Sequence, residues 1–399
     1  MRPPERLVTR PFIALFVAAL AFFTASSLVL PVASRFAEGS LRLDALGVGV
    51  GIGVFSVAAL VMRPVVGWAS DRFGRRPLLL FGGALTVLAL VAHLAVDSLP
   101  AFIAVRSLLG IAEAFFFVAA LAAVSDLAPE TRRGEAINVG SLSVYIGLAV
   151  GPFIGEFVLA RLGFDAAWLT AAGIAVVATV LTVLVPETAP AVVAGGRPSR
   201  TRVRLVHPAG LLPGLLILTG TWGMAGFFAF IPLHADDVGL DGAGPLLALY
   251  AVIVIGLRIA FATLPDRLGA VRLSGSALVM TGTGLIVMGV VSGPLGLIAG
   301  TVAFATGVAF MFPALMAVAV ARVAPGERGA VVGTTSAFLD LSFGLAPATL
   351  GLLVGGGGYG GAFVLSGAVA LGGAVALVLL RDTMRPPSHG PTVVPTLAG

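Results

Sequence analysis

Stretches of about twenty apolar residues recur along this chain, each as long as a helix must be to cross a bilayer. Twelve can be placed, near residues 11–32, 45–67, 77–96, 100–122, 135–160, 165–185, 209–232, 243–264, 271–291, 294–320, 330–354 and 359–380. A polar interruption from Pro186 to His207 separates the sixth from the seventh and carries Arg197, Arg200, Arg202 and Arg204. Charged residues make up 11% of the chain, against roughly 25% in a soluble domain, so a water-facing surface of ordinary size cannot be built. The first stretch follows Arg2, Arg6 and Arg10 and resembles a signal peptide, with Val32-Ala33-Ser34 as a cleavable site. It is too long for one and eleven more follow, so it reads as an uncleaved first span. The expectation is an all-α integral membrane protein with twelve transmembrane helices.

The basic residues give the orientation. All 24 are Arg. With a cytoplasmic N-terminus, eighteen of them fall on the cytoplasmic side and only Arg35, Arg42 and Arg161 on the other. Such a bias orients a multi-pass protein and predicts both termini in the cytoplasm of a cell with this protein in its plasma membrane. The far loops are acidic instead, with Glu38, Asp44, Asp97, Asp165, Asp236, Asp237 and Asp241. The net charge of +5 is thereby explained by the membrane, and no nucleic-acid partner is expected. Without Lys, a phosphate-binding loop lysine or a Schiff base is excluded. Without Cys, disulfides and thiolate metal sites are excluded too. The histidines at 93, 207, 234 and 389 have no metal-ligand spacing, and His93 reads as interfacial. No cofactor, metal or catalytic constellation is expected, and the chain does not read as an enzyme.

The two sets of six spans repeat one another. Arg63-Pro-Val-Val-Gly67-Trp-Ala-Ser-Asp71-Arg72-Phe-Gly74-Arg75-Arg76 follows the second span, and Arg258 through Asp266-Arg267-Leu-Gly269 follows the eighth. Ala128-Pro129 with Arg133-Gly134 recurs as Ala324-Pro325 with Arg328-Gly329, and Gly147-Leu-Ala recurs as Gly344-Leu-Ala. Matching motifs at matching points of two apolar halves mark a duplicated membrane protein. The organisation read from this is a tail 1–10, a six-helix bundle 11–186, a basic linker 187–208, a second bundle 209–382 and a disordered cytoplasmic tail 383–399.

The first motif resembles the loop between the second and third helices of the major facilitator superfamily, Gly-x-x-x-Asp-Arg-x-Gly-Arg-Arg. The resemblance extends over about residues 10–382. It implies two pseudo-symmetric six-helix bundles that rock about a central cavity. It also implies a lock between them built on Gly67, Asp71, Arg72, Gly74, Arg75 and Asp126, closed when the cavity opens outward. The second copy, Asp266-Arg267, lacks the Arg-Arg ending, so its lock should be weaker. Ordinary positive-inside anchoring is the plain alternative for these charges.

Arg106 and Glu113 lie inside the fourth span and Asp340 inside the eleventh. An ion within the membrane has a partner or faces a watery cavity. Arg106 matches the family's fourth-helix Arg, which is associated with proton transfer; snorkelling to the surface is its alternative. Arg106 and Glu113 stand two turns apart on one face and are expected to communicate. Glu113 and Asp340 could exchange protons as the cavity changes sides, or simply hydrogen-bond a neighbouring helix. In the fifth span Gly147, Gly151, Pro152 and Gly155 match the family's antiporter motif, with Glu156 in place of its last Gly.

A substrate cavity between the halves would take its wall from Phe22, Phe23, Phe116, Phe117, Trp222, Phe227, Met311 and Phe312, unless these face lipid or pack. An apolar, aromatic wall suits flexible binding of hydrophobic compounds. The function expected is therefore proton-coupled efflux of a small amphipathic molecule by a monomer, with protons and the bilayer as its other partners. Uptake of a sugar or organic acid with protons is the alternative, favoured if hydrogen-bonding or cationic side chains face the cavity.

Overall fold

The computed structural model describes residues 8–129, 133–188, 206–261, 267–323 and 328–381. Ten long helices account for nearly all of them: α1 (Arg10–Gly39), α2 (Ala45–Phe73), α3 (Arg75–Ala92, continued by a 3-10 turn His93–Ala95), α4 (Leu99–Leu127), α5 (Arg133–Thr182), α6 (Pro208–Asp237), α7 (Gly244–Ala260), α8 (Ala270–Val290), α9 (Pro294–Val320) and α10 (Arg328–Leu379). Proline occupies the first turn of α1, α4, α6, α7 and α9, where its missing N–H costs nothing and its fixed φ starts the helix.

Two of the ten helices are double. In α5 the backbone leaves helical geometry at Gly163 (φ 81°, ψ −176°), and in α10 it does so at Gly358 (φ 65°, ψ 179°). That region of φ/ψ is open to glycine and closed to other residues, so each glycine folds its chain back on itself. Before Gly163 the chain packs on α1, with Gly151 against Ser27; after it the chain returns to α3, with Thr179 against Gly83. Counting both arms of each, the described helices are consistent with the twelve expected passes.

The passes form two bundles, α1–α5 and α6–α10. One end of the assembly carries Arg75, Arg76, Arg267, Arg272 and Arg381; the other carries Glu38, Asp97, Asp165, Asp236 and Asp241. At the acidic end the apolar interior is continuous across both bundles, from Phe36, Phe102 and Trp168 to Phe227, Phe304 and Leu350. Towards the basic end it divides into one core around Phe22, Leu79 and Phe116 and another around Ile217, Leu278 and Met311. The bundles are thus joined at the acidic end, chiefly along α2 and the first arm of α10. There Gly49 faces the Pro347 carbonyl, Gly53 the Gly344 carbonyl, and Gly351 the Ala45 carbonyl, each too close for a side chain. Small residues let membrane helices approach in this way.

His93, expected at an interface, is buried instead. Its ring stacks on Trp168 at 4.4 Å between centroids, and its Nδ1 lies 2.8 Å from the Ala89 carbonyl. The second arm of α5 brings Trp168 over it, a contact that the residues around His93 do not announce.

Candidate functional site

Halfway through the membrane the seam between the bundles turns from small residues to charge. Asp340 on α10, one turn from Gly344, is met from across the seam by Arg63 on α2, with Nη2 2.8 Å from Oδ1. Its guanidinium also lies over the Phe117 ring of α4, 4.8 Å from the centroid. Glu113, one turn before Phe117 on α4, is within electrostatic range of both Arg63 and Asp340. Arg63 Nε and Asp340 Oδ2 are buried with no hydrogen-bond partner among the described residues. Three charges on three helices from two bundles thus meet at one place.

The pairing of Arg106 with Glu113 that their spacing suggests is not made. Arg106 is fully buried and points toward the acidic end. Its Nε donates to the Gly51 carbonyl at 3.2 Å and its Nη2 to the Ile52 carbonyl at 3.4 Å, while the guanidinium covers the Phe55 ring at 5.1 Å. It clamps α4 to α2 rather than snorkelling. Two turns on one face bring residues to the same side of a helix, but neighbouring helices decide which way each side chain leans. Glu113 leans to Arg63, a residue that sequence reasoning noted only as part of a recurring motif.

The other bundle repeats this arrangement with different chemistry. Arg258 on α7 is the counterpart of Arg63, and its guanidinium lies over the Tyr145 ring of α5, 3.6 Å from the centroid. Tyr145 in turn touches Phe312 of α9, the counterpart of Phe117, at 6.2 Å between centroids. On the other side, an apolar cleft of about 80 Å³ that includes Phe117 runs between α1, α4 and the first arm of α5. Phe12, Phe23, Phe117 and Val144 are among its walls.

Of the predicted aromatic wall, then, Phe23 and Phe117 line a cleft, and Phe312 lies at the seam. Phe22 and Phe116 are instead stacked on each other inside the first bundle, 3.8 Å apart. Phe227 packs against Tyr250 and Phe304, and Met311 fills the space beside Gly220; both are core residues of the second bundle. Trp222 is half-buried against the joined core. The glycines of the fifth span have one common purpose. Gly147, Gly151 and Gly155 lie against the α1 backbone from Phe23 to Leu28, and Ser27 donates to the Gly147 carbonyl at 2.7 Å. Pro152 is inside the same helix.

At the basic end Arg75 Nε donates to Asp126 Oδ2 at 3.0 Å, and its Nη1 to the Ser70 carbonyl at 2.7 Å. Glu187, which sequence reasoning missed, accepts the backbone N–H groups of Arg75 and Arg76 at 2.9 and 3.2 Å. It supplies the anion that the N-terminus of α3 lacks from its own cap, Gly74. Gly74 itself has a φ of 97° and no room for a Cβ beside Glu187. Gly67 has open space around it, so no close approach is made there. Arg72 and Arg267 are exposed, Arg72 lying over Trp68. The side chain of Asp71, together with Asp266, lies outside the described residues.

At the acidic end, Glu156 explains its departure from the glycine of the motif. Its Oε1 accepts from Arg35 Nε at 2.9 Å and from the Ala243 N–H of the other bundle at 3.2 Å. Arg35 then reaches Asp236 across the seam, at 2.5 Å from Nη1 and 3.2 Å from Nη2. Tyr359 donates to Glu38, again between bundles, at 3.1 Å.

Comparison with known proteins agrees with this architecture. The sequence profile of the Major Facilitator Superfamily matches residues 12–312 and 264–396. An uncharacterized MFS-type transporter of Salmonella typhimurium is 30% identical over 359 residues, covering 87% of this chain and 90% of that one. The uncharacterized MFS-type transporter YhhS of Escherichia coli is 27% identical over 376 residues, covering 91% and 90%. Among solved structures, the human organic anion transporter MFSD10 superposes with a TM-score of 0.69 at 22% identity, over 94% of this chain and all of that one. A bacterial homologue of the lysosomal transporter Spinster, inward-facing and unoccupied, gives 0.72 at 15% identity over 96% and 97%. At these identities the two structures speak for the fold alone.

Proposed function

This chain belongs to the Major Facilitator Superfamily, and we propose that within it the chain is a secondary transporter that exports a small amphipathic molecule in exchange for protons. The observation that carries the reading is the Arg63–Asp340 pair, which crosses the seam with Glu113 in range, next to an apolar cleft. A buried ion pair is a poor way to stabilise a protein, because desolvation offsets most of the attraction. One that joins two bundles suits a part that must be made and broken.

In the proposed cycle, a proton arriving from the acidic side neutralises Asp340 or Glu113 and frees Arg63. The bundles then rock, the proton leaves at the basic end, and the ion pair forms again. The substrate moves the opposite way, its apolar part held by the cleft. Residues 11–186 and 209–382 act as the two moving bodies, joined by the linker 187–208. Arg75 with Asp126, together with Asp71, Arg72, Gly74 and the weaker copy Asp266-Arg267, holds the basic end when the acidic end is open. The distribution of arginines puts the basic end in the cytoplasm and the protein in the plasma membrane, where we read it as a monomer.

The test is transport by purified protein in liposomes with an entrapped pH dye. Proton movement opposite to an added hydrophobic compound supports antiport. Glu113→Gln with Asp340→Asn should abolish it, and unchanged coupling in that double variant would sink the assignment. Two arginines and Tyr145 at mid-depth favour a second reading, uptake of a polar metabolite such as an organic acid. Protons moving together with the added compound would establish that reading instead.

A further inference from the structure

The two halves of the site are related by the internal repeat but differ in charge. Arg63, Phe117 and Asp340 correspond to Arg258, Phe312 and Tyr145, each pair at the same separation along the chain that relates Asp71 to Asp266 and Arg133-Gly134 to Arg328-Gly329; the match of Gly147 with Gly344 falls two residues out of this register. In the first set the guanidinium holds a carboxylate across the seam and lies over the phenylalanine. In the second set a phenol stands where the carboxylate would be, and the guanidinium lies over its ring. Glu113, which adds a further acid beside Arg63, corresponds to Val308, which adds none. Among the described residues Arg258 has no ion pair and its buried Nε has no hydrogen-bond partner; its guanidinium is within hydrogen-bonding reach of the neutral Tyr145 hydroxyl, which adds no counter-charge. The acids of the site all lie on one side of the pseudo-symmetry axis, and the uncompensated cation lies on the other.

We propose that Arg258, framed by Tyr145 and Phe312, binds the anionic group of the transported molecule, so that the substrate is an amphipathic organic anion. A half-buried cation within the membrane and without a counter-charge is unfavourable, and an anionic substrate reduces that cost when it binds. The planar guanidinium suits a carboxylate, sulfonate or phosphate, which it can grip with two parallel hydrogen bonds. The rings of Tyr145 and Phe312 beside it, and the cleft walled by Phe23 and Phe117, accept an apolar body attached to that group. The duplicated site thereby divides its labour: Arg63, Asp340 and Glu113 carry the proton, and Arg258 carries the substrate. The inference rests on the transporter reading above for its meaning, but its test does not depend on proton coupling.

The test is equilibrium binding to the purified full-length protein. The probes are aryl and alkyl carboxylates and sulfonates, naphthalene-2-sulfonate among them, each measured against its neutral amide and against the matching alkylammonium. The wild type should bind the anion of a matched set about tenfold tighter than the neutral compound, as expected for a hydrogen bond to a charged group. Arg258→Gln should erase that preference, and Arg258→Lys should keep most of it. Arg272→Gln, at an exposed arginine of the basic end outside the site, should leave it in place. Equal affinity of the wild type for anion and amide overturns the proposal without any variant being needed, as does a preference that survives in a monodisperse Arg258→Gln protein. If anions are preferred and Arg258→Gln abolishes the preference while proton movement never accompanies binding, the anion site stands and the antiport reading falls.

Discussion

Replacing Gly53 by Ala should open the acidic end of the protein. In a free helix that change is favourable by up to about 1 kcal/mol, and it would stabilise α2 in either conformation. At the seam, however, an added methyl points straight at the Gly344 carbonyl of α10. The obstacle is backbone, which cannot turn aside as a side chain does. Overpacking of this kind costs about 1–3 kcal/mol, and the cost applies only where α2 and α10 touch. Taking about 2 kcal/mol, the ratio of closed to open acidic ends should fall roughly 30-fold. The chain has no cysteine of its own, so spin labels can be placed at will on Asp97→Cys and Ser292→Cys. These are exposed positions at the acidic end, one in each bundle. Double electron–electron resonance in lipid should show the distance distribution moving to longer values in Gly53→Ala. Gly67→Ala, where the methyl meets open space, should leave it unchanged. If Gly53→Ala is folded and its distribution matches the parent, the seam does not separate in the transport cycle and the rocking account is wrong.

Other consequences are more local. Removing one member of the Arg63–Asp340 pair leaves the other buried without its partner, so Asp340→Asn or Arg63→Gln alone should cost about 3 kcal/mol. Arg63→Met with Asp340→Leu should cost less than either, as thermal unfolding would reveal; two harmless single variants would mean the pair is not held in the folded protein. Gly163→Ala and Gly358→Ala force a side chain into a backbone region reserved for glycine, at about 1–3 kcal/mol each. Both should lower the unfolding temperature, and an unchanged one would place the reversals elsewhere. Glu187→Gln weakens the side-chain cap that Glu187 gives the start of α3 by about 0.5–1 kcal/mol, less in high salt; a loss that ignored salt would argue against a charge effect.

The twelve passes were legible because span length and apolarity are properties of single segments, which the bilayer thickness fixes. The duplication was legible because Arg63 to Gly74 and Arg258 to Gly269 keep their spacing. What could not be read was which helices meet. Arg106 and Glu113 share a helix face, yet one is drawn to the carbonyls of Gly51 and Ile52 and the other to Arg63. Phe22 and Phe116 carry the same chemistry as Phe23 and Phe117, and only the packing of α1 on α4 sends the first pair inward to stack. Glu156 looked like an imperfection in a glycine motif. Its meaning lies in Arg35 and Ala243, which are brought to it from elsewhere in the chain.

The account turns on one claim, that carboxyls at the seam couple protons to substrate. The direct measurement compares the wild type with Glu113→Gln/Asp340→Asn in liposomes with an entrapped pH dye, under an imposed proton gradient and with amphipathic compounds added. The account predicts that protons move opposite to the compound in the wild type and that this movement vanishes in the double variant while binding persists. Undiminished proton movement in the double variant would contradict it.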